Sequence, residues 1–218
     1  TSNSGSGIYI YNSRNNNLIS NIGTSNSSYG LYLQNSIFNS LENNFGNSVK
    51  MYGIYMYNVS NSNFISNIGT SNSSNGIYLF LSSNNNLTSN LGESNSGTGL
   101  YLYNSKDNYL AFNTATSNSS YGLYLYISSN NSLIANIGNS LKSYGAYLYN
   151  SPYNNLNNNI VGSNSSYGLY LYNASNNNLN NNTATSNSNV GAYLYNSKDN
   201  YLTSNIGTSN TNSGVYLN

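Results

Sequence analysis

Residues 99–121 read GLYLYNSKDNYLAFNTATSNSSY, and the same phrase restarts at residue 122 with GLYLYISSNNSLIAN. After the leading glycine, apolar and part-polar residues alternate with a period of two, the pattern of a half-buried strand. The glycine recurs at Gly7, Gly30, Gly53, Gly76, Gly99, Gly122, Gly145, Gly168, Gly191 and Gly214, always 23 residues apart, so ten coils align without a gap. Positions within a coil are counted from this glycine. A unit of this size cannot bury its apolar face alone, whereas copies stacked about 4.8 Å apart bury a continuous core and pair each strand with those above and below. The repeat predicts an all-β, single-stranded parallel β-helix, a β-solenoid of about ten coils running as one unit over residues 1–218.

Each column then has an expected role. The second and fourth positions are aliphatic, as in Leu31 and Leu33 or Leu100 and Leu102, and are expected to face inward. The third position is Tyr in every coil: Tyr9, Tyr32, Tyr55, Tyr78, Tyr101, Tyr124, Tyr147, Tyr170, Tyr193 and Tyr216. The fifth adds Tyr11, Tyr57, Tyr103, Tyr126, Tyr149, Tyr172 and Tyr195, and the twenty-third adds Tyr29, Tyr52, Tyr121, Tyr144 and Tyr167. Tyr hydroxyls favour water or a partner, so these columns are expected outside, as parallel aromatic ladders. A second strand is expected to run through the twelfth-position Leu column (Leu18, Leu41, Leu87, Leu110) and the small seventeenth residue (Gly23, Gly69, Ala115, Val161). The N-S-x-x-N-N and T-S-N-S-S segments hold residues that bond their own backbone and tolerate left-handed conformations, so they read as corners. Asn fills the fifteenth position throughout, as Asn21, Asn44, Asn67, Asn90, Asn113, Asn136, Asn159, Asn182 and Asn205. Stacked in register, these amides are expected to bond one to the next as an internal ladder.

Longer periods lie over the short one. YLYNSKDNYL occurs at 101–110 and again at 193–202, four coils later, which points to growth by duplication of blocks of coils. The phrases GIYIYNSRNNNLISN, GLYLYISSNNSLIAN and GLYLYNASNNNLNNN resemble the right-handed parallel β-helix repeats of the NosD and pectate-lyase-like superfamily. The resemblance covers the whole chain and implies a right-handed coil, in keeping with the general hand of parallel crossovers. It is weak as a guide to function, since that superfamily includes polysaccharide lyases, epimerases, a copper-site maturation factor, phage spikes and surface proteins.

Composition narrows the function classes. Charged residues make up 4% of the 218 residues and the net charge is +1, which leaves no basic footprint for nucleic acid and no polybasic patch for anionic lipid. No apolar run reaches the roughly 18 residues of a membrane span. With 14% aromatic residues and little net charge, the chain is not of the disordered type. The acidic inventory is Glu42, Glu93, Asp107 and Asp199, too sparse for a carboxylate-rich calcium site. Asp107 and Asp199 sit four coils apart, about 19 Å on the ~4.8 Å spacing, and cannot act as a catalytic pair. Each follows a lysine, Lys106 or Lys198, as a solvated corner pair. No His or Cys and only Met51 and Met56 are present for a soft metal. No catalytic, cofactor or metal residue is therefore assigned.

The Tyr columns carry three readings: strand stabilisation, lateral packing of rods, and stacking of carbohydrate. Sequons at Asn26, Asn72, Asn118 and Asn164 fall on one corner at alternate coils, as candidate N-glycosylation sites. Neither end has a polar cap, which suggests a segment of a longer array. The expected function is a non-catalytic extracellular structural module of a filament, sheath, stalk or adhesin at the cell surface, self-associating through strand edges or the Tyr face, with glycans as the other partner class. The alternative is a carbohydrate-binding or polysaccharide-processing β-helix whose active residues lie outside this segment.

Overall fold

The computed structural model describes residues 1–218 and contains 28 strands and no helix. The first coil sets the pattern with β1 (Ile8–Tyr11), β2 (Asn17–Ile19) and β3 (Ile22–Ser25), and the series closes with β28 (Val215–Leu217). Equivalent strands stack into three wholly parallel sheets of 10, 9 and 9 strands, built respectively from the β1-, β2- and β3-type segments. The register is one coil throughout: Tyr9 pairs with Tyr32, Leu18 with Leu41, and Gly23 with Gly46.

The expected single second strand is two strands. The fourteenth residue of each coil takes a left-handed backbone (Ser20 φ 56°, Asn43 φ 54°, Phe112 φ 57°) and turns the chain between the second and third sheets. Two further left-handed residues, at the sixth and ninth positions, shape the corner after the first sheet (Asn12 φ 47°, Asn15 φ 57°). Asn dominates those two columns, as expected of the non-glycine residue best suited to that region. The repeating glycine is not one of these corners, for no glycine has positive φ. Its column answers to space: a Cβ on Gly99 would lie 2.5 Å from the backbone nitrogen of Thr116 and 2.8 Å from the carbonyl carbon of Ala115. The third sheet passes so close to the start of the first that no side chain fits there.

The aliphatic columns fill the interior as expected. Leu31, Leu33, Leu100 and Leu102 are buried, and 28 apolar residues form one continuous core cluster along the rod. Phe64, the one exception in the twelfth column, is buried in the same place. With the core this narrow, the seventeenth position stays small: Ala115, Val161 and Ala184 are buried where other coils have glycine.

Candidate functional site

The third-position tyrosines stand outward on the first sheet and stack into one uninterrupted column. Successive ring centroids lie 4.8 Å apart for Tyr9 and Tyr32, 4.7 Å for Tyr101 and Tyr124, and 5.0 Å for Tyr124 and Tyr147, with interplanar angles of 10°, 7° and 4°. A second column runs beside it through Tyr57, Phe80, Tyr103, Tyr126, Tyr149, Tyr172 and Tyr195. Tyr29, Tyr52, Tyr121, Tyr144 and Tyr167 lean on the first column from the other side, as Tyr29 does on Tyr32 at 4.7 Å and 53°. The result is an aromatic layer outside the core, and it is less open than expected. Tyr55, Tyr78 and Tyr147 retain 8%, 7% and 8% exposure, against 53% for Tyr9 at one end. Each interior ring of the third-position column has its two faces covered by the rings above and below, so that column offers edges and hydroxyls to solvent. Within that column ring faces, which carbohydrate stacking requires, are open only at the ends, whereas the flanking columns are interrupted at Gln34, Asn75 and Thr98.

The crowding also alters the phenols. Burial, then the neighbouring Tyr9, Tyr29 and Tyr57 hydroxyls, push the Tyr32 phenol up to about 12 from 10.0. The same two causes raise Tyr55, Tyr78, Tyr101, Tyr124, Tyr147 and Tyr170. These hydroxyls stay neutral well into alkaline pH.

The fifteenth-position asparagines form the expected ladder without a break from Asn21 to Asn205. In its middle, the Asn113 amide nitrogen donates to Asn136 Oδ1 at 2.9 Å and to the Leu87 carbonyl at 2.9 Å. Its Oδ1 accepts from the Asn90 backbone N–H at 2.9 Å and from Asn90 Nδ2 at 3.0 Å. All four bonding positions of a buried amide are thus filled. A parallel ladder was missed in the sequence: the tenth position, Asn in every coil but that of Ser62, is bonded in the same way, as from Asn85 Nδ2 to Asn108 Oδ1 at 3.2 Å. Its signal was the recurrence of Asn in eight of the nine residues of the column. No buried side-chain polar atom lacks a partner.

The outer face of the third sheet holds the remaining features. Its sixteenth-position column, Ile22, Phe45, Ile68, Leu91, Ile137, Ile160 and Ile206 with Thr114 and Thr183 between, projects outward, and Ile22 keeps 69% of its surface exposed. This stripe was also missed, since the glycine at the seventeenth position hides the period of two that places its neighbour outside. Beside it runs a shallow polar trough lined by Asn47, Thr70, Asn72, Glu93, Asn95, Thr116 and Asn118, continuing past Asn139, Asn164, Thr185 and Asn187. The sequon residues Asn26, Asn72, Asn118 and Asn164 are exposed along its edge. The ionisable groups do not converge: Asp107 and Asp199 sit exposed at left-handed corner residues (φ 57° and 55°), and no group of three or more His, Cys, Asp or Glu occurs.

Two family models match the chain. That of the right handed beta helix region covers residues 83–218, and that of the periplasmic copper-binding protein NosD covers residues 1–141. Among solved structures, the periplasmic alginate epimerase AlgG is similar at 20% identity over 84% of this chain and 50% of that one, with a TM-score of 0.65. A point mutant of that epimerase is similar at 13% identity over 93% and 78% of the respective chains, with a TM-score of 0.55. The chain thus spans half the length of the first of these structures, and the likeness is one of fold. No curated protein matches. The copper in the second family's description finds no fitting donors here: Met56 is fully buried in the leucine core, Met51 lies outside it, and no His or Cys is present. On the family matches and the stacked parallel sheets together, the chain belongs to the right-handed β-helix repeat proteins of the NosD and pectate-lyase-like type.

Proposed function

We infer that the chain is a non-catalytic structural rod that works outside the cytoplasm, as a segment of a surface filament, sheath, stalk or adhesin. The observation that carries this reading is the closed aromatic layer. Ten coils without an inserted residue leave no loop to wall a cleft, and the third-position Tyr rings turn their faces to one another and not to a ligand. What the layer offers is a long, flat, uncharged surface of ring edges and hydroxyls, suited to lateral contact between rods. The extracytoplasmic setting is supported by the match to the family of NosD, a periplasmic protein. Electron microscopy across a concentration series tests the reading, with side-by-side bundles expected at high concentration and isolated rods at low. Rods that remain single at every concentration, while a glycan array shows tight Tyr-dependent binding, overturn it.

A second reading is favoured by one feature, the polar trough, whose amides, hydroxyls and lone Glu93 carboxylate suit a neutral polysaccharide. In that case binding on a glycan array is lost on changing Thr70 and Thr116 to Val and is unaffected by changes in the Tyr layer.

A further inference from the structure

We propose that the outer face of the third sheet is a seat for the protein's own N-linked glycans, carried on Asn26, Asn72, Asn118 and Asn164 and lying across the trough onto the isoleucine stripe. Three independent features meet there. The first is the alternation of the sequons. At the twentieth position, Asn26-Ser27-Ser28, Asn72-Ser73-Ser74, Asn118-Ser119-Ser120 and Asn164-Ser165-Ser166 are acceptor sequences, whereas the alternate coils place Val49, Asn95, Leu141 and Asn187 there, none of which begins one. Attachment points in this column thus recur every second coil, about 10 Å apart on the ~4.8 Å spacing, which gives each glycan on this face two coils of rod to cover.

The second feature is the state of the amides. All four are exposed. The Asn72 and Asn164 side chains accept from Asn95 Nδ2 at 2.9 Å and Asn187 Nδ2 at 3.0 Å, and their Nδ2 atoms donate no hydrogen bond. Asn26 and Asn118 each use one amide hydrogen, toward Asn3 Oδ1 at 3.0 Å and Asn95 Oδ1 at 2.9 Å. N-glycosylation leaves one hydrogen on the nitrogen, so the outer ladder survives it. In the transfer, Nδ2 forms a bond to the anomeric carbon of an oligosaccharide carried on a lipid phosphate. The anomeric C–O bond breaks with its electrons going to the phosphate, and the amide gives up one proton.

The third feature is an uncovered surface whose chemistry matches a sugar. From the twentieth position the strand runs back four residues to the sixteenth, about 13 Å at ~3.3 Å per residue, a reach of a few sugar units. Along the way the glycan meets Thr and Asn side chains, such as Thr70 and Thr116, that bond its hydroxyls. It then meets an aliphatic column, of which Ile22, Ile68, Ile137 and Ile160 are exposed, that its C–H faces can cover. With 4% charged residues, the chain has little other means of keeping that column from adhering.

The inference is independent of whether the rods bundle. It is tested on the full chain secreted from a eukaryotic host, by peptide mass spectrometry and by fluorescence of an apolar dye before and after enzymatic deglycosylation. Glycan is expected on all four peptides, with a several-fold rise in dye signal on deglycosylation. The N26Q/N72Q/N118Q/N164Q variant should show the high signal without enzyme while keeping its β circular-dichroism spectrum. In an I22T/I68T/I137T/I160T variant the rise should vanish. Bare peptides at the four asparagines, a dye signal indifferent to deglycosylation, or a rise that persists in the isoleucine variant each overturn the proposal.

Discussion

At the scale of single residues, the fold depends on side chains whose partners are other copies of themselves. Asn113 is the clearest case: its four hydrogen bonds tie three successive coils together. Asn113→Ala strands the Asn90 backbone N–H and one of its two amide hydrogens as buried donors without an acceptor, the other hydrogen keeping the Phe64 carbonyl. Leaving a buried group unsatisfied costs about 1–3 kcal/mol, so a loss of about 3 kcal/mol or more is expected in urea unfolding. Asn95→Ala in the solvent-facing ladder should stay within about 0.5 kcal/mol, as surface substitutions do. The corner residues predict the opposite sign. Ile127 is β-branched yet held at φ 51°, and its side chain is exposed, so little packing compensates the strain. Its column is Asn in seven of nine coils, and Ile127→Asn is expected to raise stability by about 1 kcal/mol, read as a higher unfolding midpoint.

At the scale of the sheets, the sequence was most legible where chemistry alternated and least legible where it did not. Leu against Tyr gave the inside and outside of the first sheet directly, because a two-residue period has only two faces. The break between the second and third sheets was hidden, since its left-handed residue is variously Ser, Asn, Phe or Ala, with no glycine or proline to mark it. The covered faces of the Tyr rings were hidden too, because ring orientation is set by neighbours a whole coil away. That packing makes the first sheet alkali-sensitive. In the unfolded chain these phenols ionise near 10.0, while in the folded chain Tyr32 holds its proton to about 12 and Tyr55, Tyr78 and Tyr124 are raised as well. Above pH 10 the unfolded state therefore releases protons that the folded state retains, and stability falls as pH rises. The contribution is whole below pH 10 and is progressively lost through pH 12, which thermal unfolding at a series of alkaline pH values will show. Tyrosinate absorbance should lag behind that of free tyrosine and appear together with unfolding.

At the scale of the whole molecule, every strand pairs only with its equivalents one coil away, and every ladder bond spans one coil. Stability in such a stack is close to a sum of coil terms and nearest-neighbour terms. Excision of residues 99–121 is the sharpest test, because it removes one coil and leaves every column in phase. Thr98 would then lead into Gly122 as Tyr121 does, Tyr78 would stack on Tyr124, and Asn90 would bond to Asn136. The shortened chain is expected to fold cooperatively with the same spectrum per residue and a urea m-value lower by about one tenth, as m follows the surface buried. Excision of residues 99–109 alone removes fewer residues but shifts every later column out of register, placing Asn113 where Leu102 was and Tyr121 where Leu110 was, over the leucine core. That variant should be unfolded or aggregated. Two variants of equal stability would mean that the stack tolerates loss of phase and that the 23-residue period is not what holds it together.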